Sequence, residues 1–162
     1  MTILSRIFPR QIDNAYRGHW LGLVLFVLVI VLRTTQGINS MVITRSVITG
    51  ADAIPLDTFS QPAANTLISI FALLGVSSLI VSLIGLIALV RYRAMIPLLF
   101  LVIFVSQIGA RLIMLIYPIA RSADLSMNYA GQPIGFWFNL GVMAMTLIGF
   151  ILSLQNRREG AR

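Results

Sequence analysis

The chain has no cysteine, no lysine, a single histidine, and only five acidic residues: Asp13, Asp52, Asp57, Asp124 and Glu159. Without cysteine there are no disulfides, no thiol chemistry and no zinc–cysteine or iron–sulfur site. One histidine cannot ligate a haem from both sides. His19 stands beside Tyr16, Arg17 and Trp20, and this reads as an aromatic belt at a membrane edge. Paired acids for an intramembrane proton relay are missing. So are a glycine-rich phosphate loop, an HExxH helix and a nucleophile elbow. Charged residues make up 10% of the chain, against about 25% in a soluble domain. That is too little polar material to clothe a soluble domain, and too little to keep a chain disordered.

What the chain does contain is apolar. Hydrophobic residues reach 58% and the mean hydropathy is +0.93. A spanning helix needs ~20 mostly apolar residues. Four stretches qualify, at about 18–38, 62–90, 94–117 and 133–154. They are continuous and too long to be the alternating strands of a barrel. The fold expected is all-α, an integral membrane four-helix bundle forming a single domain over 1–162, with the largest outside segment at about 39–61. Pro62 and Pro133 open the second and fourth helices, where no amide donor is lost. The link Arg91-Tyr92-Arg93 is so short that it makes helices two and three antiparallel neighbours.

All twelve basic residues are arginine. Eight of them lie in the N-terminal arm (Arg6, Arg10, Arg17), the second link (Arg91, Arg93) and the tail (Arg157, Arg158, Arg162). The other two loops carry only Arg45 and Arg121. This bias puts both termini in the cytoplasm, and short loops with arginine at their edges fit a bacterial inner membrane. The pI near 11.3 then reflects membrane-edge arginine, not a nucleic-acid surface. Helix one reads as an uncleaved signal-anchor, because Arg33-Thr34-Thr35 follows it instead of a small-x-small cleavage site. The arm before it, with Leu4, Ile7 and Phe8 among basic residues, reads either as a surface-lying segment or as a frayed end.

Helices in lipid associate through small residues. In helix two Gly75, Ser78, Ser82 and Gly85 share one face. In helix four Gly135, Asn139, Val142, Thr146, Gly149 and Ser153 do the same. These faces are expected to pack inside the bundle or against a second copy.

Two arginines fall inside spans. An intramembrane charge costs ~2.5–3.5 kcal/mol on insertion scales and calls for an explanation. Arg33 comes 15 residues after Gly18, and Arg111 comes 17 residues after Ala94. Both therefore lie ~22–25 Å into their helices, in the outer third of the bilayer. Gln107 shares the face of Arg111, and Asn139 descends to the same level. Arg121 counts as a loop charge outside this layer. No acid lies inside a span, so the candidate counter-charges are Asp52, Asp57 and Asp124 in the outer loops. Two readings stand. Either Arg33 and Arg111 snorkel or clip the loops through these aspartates, or Arg33, Gln107, Arg111 and Asn139 form an outward cup for an anionic or carbonyl-bearing ligand.

The four spans, the tight basic link Arg91-Tyr92-Arg93, and Gly109-Ala110-Arg111 followed by a proline-containing outer loop resemble the DoxX/DoxD-like group of small four-helix bacterial membrane proteins. The long first outer loop departs from that pattern. Some members of the group are associated with quinone-linked respiratory functions, so the resemblance implies a quinone or lipid near Arg111 and no particular activity.

The expected function is that of a small non-enzymatic inner-membrane protein. It would be a subunit or accessory factor that binds a partner membrane protein or lipid, or a second copy of itself. The alternatives are a ligand-binding or transport protein using the arginine layer for an anionic, quinone or lipid headgroup, and an oxidoreductase subunit. No cofactor is evident beyond a quinone or lipid.

Because the chain has no cysteine, single cysteines report topology cleanly. A membrane-impermeant thiol reagent added outside intact cells should label Thr58→Cys and Asn128→Cys and spare Ser5→Cys, Tyr92→Cys and Gly160→Cys. Labelling of Thr58→Cys from the cytoplasm alone contradicts the topology.

Overall fold

The computed structural model describes residues 3–9, 11–119, 121 and 132–155. The chain is all-helical in its long elements: α1 (Ile3–Ile7), α2 (Trp20–Val42), α3 (Thr44–Ser46), α4 (Gln61–Arg91), α5 (Ile96–Ile116) and α6 (Ile134–Leu154). Four of these, α5 together with its leading turn Arg93–Met95, are long and apolar enough to cross a membrane. Their outward faces are greasy, with Leu73 at 65% exposure, Val90 at 68% and Leu115 at 79%. Soluble monomers rarely expose more than a few hundred Å² of apolar surface in one patch, so these faces suit a multi-pass membrane protein.

Local chemistry sets the helix ends. His19 caps α2, its Nδ1 accepting from the Leu21 amide at 3.2 Å, so the one histidine has a structural task at its helix start. Ile43 breaks α2 with φ −118° and ψ 39°. Helical turns then continue through α3 and a π-helical turn at Val47–Ala51. Ala53 takes a positive φ of 55° and reverses the chain. Ile48, Ile54 and Leu56 are buried against Ala64, with Leu67, Ile68 and Phe71 beside them. The segment expected as an outer loop is therefore a helical cap folded onto the start of α4. Ser60 precedes α4 in extended conformation and Pro62 lies in its first turn. Pro97 lies in the first turn of α5, and Pro133 immediately precedes α6.

α2 is the central helix. It runs antiparallel to α4 and α6, and α5 packs against α6. The His19 amide donates to the Leu152 carbonyl (3.1 Å) and the Ala94 amide donates to the Asp13 carbonyl (3.2 Å). The start of α2, the end of α6 and the α4–α5 link thus share one end of the bundle, called proximal here. The cap over 43–60 lies at the other, distal end. In the proximal half, Phe26, Val29, Ile30, Ala88, Ile96, Leu99, Phe100 and Ile103 form the main core. Phe26 and Phe100 meet edge to face at 5.0 Å between centroids.

Glycines set the helix spacing. A Cβ on Gly75 would lie 2.8 Å from the Gly37 carbonyl oxygen, and one on Gly37 would lie 3.1 Å from the Gly75 oxygen. The two backbones therefore cross in direct contact, as small residues permit between lipid-embedded helices. Gly85 faces Ile30, and Gly149 faces the Phe100 ring. Gly75, Ser82 and Gly85 are buried, as are Gly135 and Gly149, while Ser78 is half-buried. The hydroxyls on these faces bond their own helices: Ser82 to the Ser78 carbonyl (2.9 Å), Thr146 to Val142 (2.7 Å) and Ser153 to Phe150 (2.6 Å). These hydroxyls satisfy themselves locally, so the faces serve packing. Tyr16 closes the proximal end, its hydroxyl 2.5 Å from where a Cβ on Gly22 would stand. Burial pushes its phenol up to about 12.

The expected consequence is specific to position. Gly75→Ala should lower stability in detergent by about 1–3 kcal/mol through overpacking. Gly141→Ala, where a Cβ meets nothing within 4 Å, should be neutral or stabilising by up to ~1 kcal/mol. Thermal unfolding of the two variants beside the parent checks this.

Candidate functional site: a polar layer at the distal end

Residues Phe26, Val29, Ile30 and Gly37 of α2 are buried, and at 100° per residue Arg33 lies at the centre of their stripe. Its guanidinium therefore starts from the inward face. Arg33 is half-buried, and its Nε is inaccessible and has no hydrogen-bond partner among the described residues. One turn further, Gln36 donates through Nε2 to Asn139 Oδ1 at 3.0 Å, and Asn139 Nδ2 donates to the Gly135 carbonyl at 2.8 Å. This chain of two amides ties α2 to the first turn of α6.

Gln107 continues the buried stripe of Phe100 and Ile103 on α5. Its Oε1 is buried and also lacks a partner among the described residues. α2 and α5 run the same way, and the Phe26–Phe100 contact fixes their register. Seven residues beyond Phe26 is Arg33, and seven beyond Phe100 is Gln107. Both side chains therefore leave their helices ~10 Å above that contact, at one depth. An unmet donor and an unmet acceptor share that level.

Arg111 reaches across to α6. Its Nη2 donates to the Phe136 carbonyl at 3.0 Å, and its guanidinium carbon lies 4.3 Å from the Phe136 ring centroid. A cation over a ring is worth about 0.5–1 kcal/mol at exposed sites and more when desolvated. Arg111 is thus held by backbone and ring.

Above this layer the cap meets the start of α6. A Cβ on Gly135 would lie 2.7 Å from the Ala51 carbonyl and 3.0 Å from Asp52 Oδ1, so only glycine lets the two segments approach. The Asp52 carboxylate stands by the N-terminus of α6, whose partial positive charge suits it. Burial nevertheless pushes its carboxyl above the usual range, and the charge of Arg121 opposes that rise. Arg121 donates to Gln132 Oε1 at 3.3 Å, and its Nε is buried without a partner among the described residues. Arg121 and Arg111 are also near enough to repel. Arg121, expected as a loop charge, thus belongs to the layer. Its bond to Gln132 joins residues 11 apart in sequence, which no local pattern shows.

The aspartates divide their roles. Asp57 pairs with Arg45 at 2.9 Å on the exposed cap, a pair worth little in solvent. Asp52 faces Arg121. Asp124 lies outside the described residues. Among the described residues, no carboxylate forms an ion pair with Arg33 or Arg111. Four buried side-chain atoms lack partners among these residues, and three of them, on Arg33, Gln107 and Arg121, are in this layer. The described residues hold no group of three or more His, Cys, Asp or Glu that suits a metal ion. Comparison with known proteins finds no matching family model, no matching curated protein and no matching solved structure.

The raised Asp52 carboxyl has a definite sign. The folded protein binds a proton more readily than the unfolded chain between 3.8 and the raised value. Stability contributed at this residue is therefore greatest below that window and falls as pH rises through it. Thermal unfolding followed from acid to neutral pH should lose this part of its slope in Asp52→Asn. The same slope in parent and variant contradicts it.

Proposed function

We propose that this chain is a small binding protein of a bacterial cytoplasmic membrane, with both termini inside, acting as a subunit or accessory factor and not as a self-sufficient enzyme. Its ligand is a quinone or lipid headgroup held in the distal polar layer, which then faces the outer leaflet. The observation that carries this reading is the pair of unmet groups at one depth, Arg33 Nε–H and Gln107 Oε1. Leaving a buried polar atom unsatisfied costs ~1–3 kcal/mol, and more for a charged group. Bilayer hydrocarbon supplies no water to relieve it. A headgroup that offers an acceptor oxygen to Arg33 and a hydroxyl to Gln107 satisfies both at once.

Access supports the same reading. The distal third of α5 is open, with Leu112, Ile113, Leu115, Ile116 and Tyr117 all more than half exposed. An amphiphile can enter from the side between α2 and α5 and leave its tail in lipid. Arg111 and the Gln36–Asn139 pair, already engaged with α6, form the fixed wall of this cleft. The resemblance of Gly109-Ala110-Arg111 and the basic link to DoxX/DoxD-like proteins points toward a quinone or lipid as well.

The test is chemical. The parent protein, purified in mild detergent, should retain a quinone or lipid species detectable by native mass spectrometry and by solvent extraction. Arg33→Gln and Gln107→Leu should each cut its occupancy about tenfold or more, as loss of a charge-assisted or buried hydrogen bond does. Arg45→Gln, on the exposed cap, should keep it. An unchanged complement of bound molecules in Arg33→Gln overturns the proposal.

A further inference from the structure

The proximal end holds a second, separate site. The N-terminal arm crosses the end of the bundle as a strap tied at three points. Arg6 Nη1 donates to the Leu154 carbonyl at 2.5 Å, the Asp13 carbonyl accepts from the Ala94 amide, and the His19 amide donates to the Leu152 carbonyl. Between strap and bundle lies a cavity of about 370 Å³, with Arg6, Arg17, Arg93, Ser5, Tyr16 and Ser153 among its lining residues. This is within the ~300–1,000 Å³ range of small-ligand sites.

The charge of this cavity is one-sided. Among the described residues three guanidinium groups line it, and the adjoining carboxylate is Asp13. Asp13 accepts from Arg17 Nη1 at 3.2 Å and Nη2 at 2.5 Å, and this bond holds its carboxyl below the usual range. Arg6 is engaged with the end of α6. Arg93 donates through Nε to the Leu89 carbonyl at 2.9 Å, which orients its fork while leaving both terminal nitrogens without a partner among the described residues. An excess of positive charge thus remains where α2 and α5 begin. The strap's Leu4 and Phe8 are 70% and 55% exposed, so their side chains can enter the acyl region while its arginines stay at headgroup depth.

We infer that this arginine-lined cavity binds a phosphate group. Phosphate oxygens match the planar guanidinium fork in pairs. The phosphate can come from an anionic phospholipid of the adjacent leaflet or from a free phosphorylated compound in the cytoplasm. This site shares with the distal one only the membrane-spanning assignment.

The experiment follows the thermal unfolding midpoint of the full chain in detergent with three additions: phosphatidylglycerol in mixed micelles, phosphatidylcholine in mixed micelles, and inorganic pyrophosphate against chloride at matched ionic strength. Stabilisation by phosphatidylglycerol but not by phosphatidylcholine or pyrophosphate supports the site with a lipid source. Stabilisation by pyrophosphate supports it with a free phosphate source. Arg93→Gln should weaken the apparent affinity of the active anion about tenfold, as loss of a charge-assisted contact does. Arg17→Gln, which leaves Asp13 unneutralised beside the cavity, should weaken it as well. Arg45→Gln, at the opposite end, should respond like the parent. The inference is overturned if neither anion shifts the midpoint, or if Arg93→Gln and Arg17→Gln respond as the parent does.

Discussion

A guanidinium on the inward face of an apolar helix is the constraint around which the distal half is arranged. Arg33 stays charged at any pH a cell reaches, no acid is built into the spans, and the described aspartates face other arginines. In hydrocarbon such a group needs acceptors from within the protein or from something bound to it. The surrounding helices bring polar groups to its level. α5 offers the Gln107 oxygen, and α6 offers the Asn139 amide, which Gln36 engages first. Arg111, one turn beyond Gln107, is withdrawn onto Phe136, so the two cations within the long apolar helices do not compete for one partner.

That arrangement depends on how the rest of the bundle is packed. The core between the helices is tight: Gly149 against Phe100, Gly85 against Ile30 and Phe26 against Phe100 fill it in the proximal half, and Gly37 against Gly75 holds α2 to α4 further along. The same contacts fix helix register, and register is what puts Arg33 and Gln107 at one depth. In the distal half α5 is open, with Leu112, Leu115 and Ile116 more than half exposed. Gly135 lets the cap rest on the start of α6, bringing Asp52 and Arg121 over the layer. The closeness of α2 to α4 and the openness of the distal end of α5 follow from where the glycines and the large side chains lie along the same helices.

Much of this was legible before any coordinates. Continuous apolar runs mark the four long helices to within a few residues, since a 20-residue apolar stretch has few alternatives. The small residues of α4 and α6 mark the packed faces, because 3.6-residue periodicity maps directly onto a helix surface. The depth of Arg33, Gln107, Arg111 and Asn139 follows from counting rise. What could not be read depends on long-range geometry. The stretch 39–61 lacks a long apolar run, and its fold as a cap comes from the break at Ile43 and the burial of Ile48, Ile54 and Leu56 against Ala64. Which aspartate meets which arginine depends on that cap, so Asp57 pairs with Arg45 and Asp52 faces Arg121. The strap over the proximal cavity rests on backbone contacts between residues far apart in sequence, which periodicity does not encode.

The central claim is that Arg33 and Gln107 act on one bound molecule, and a double-mutant cycle tests it most directly. Ligand-dependent stability would be measured for the parent, Arg33→Gln, Gln107→Leu and the double variant. If both side chains hold the same headgroup, the second substitution adds little once the first is made, and the two are coupled by about 0.5–3 kcal/mol. If the two losses simply add, within about 0.3–0.5 kcal/mol, the residues act independently and the shared site does not exist.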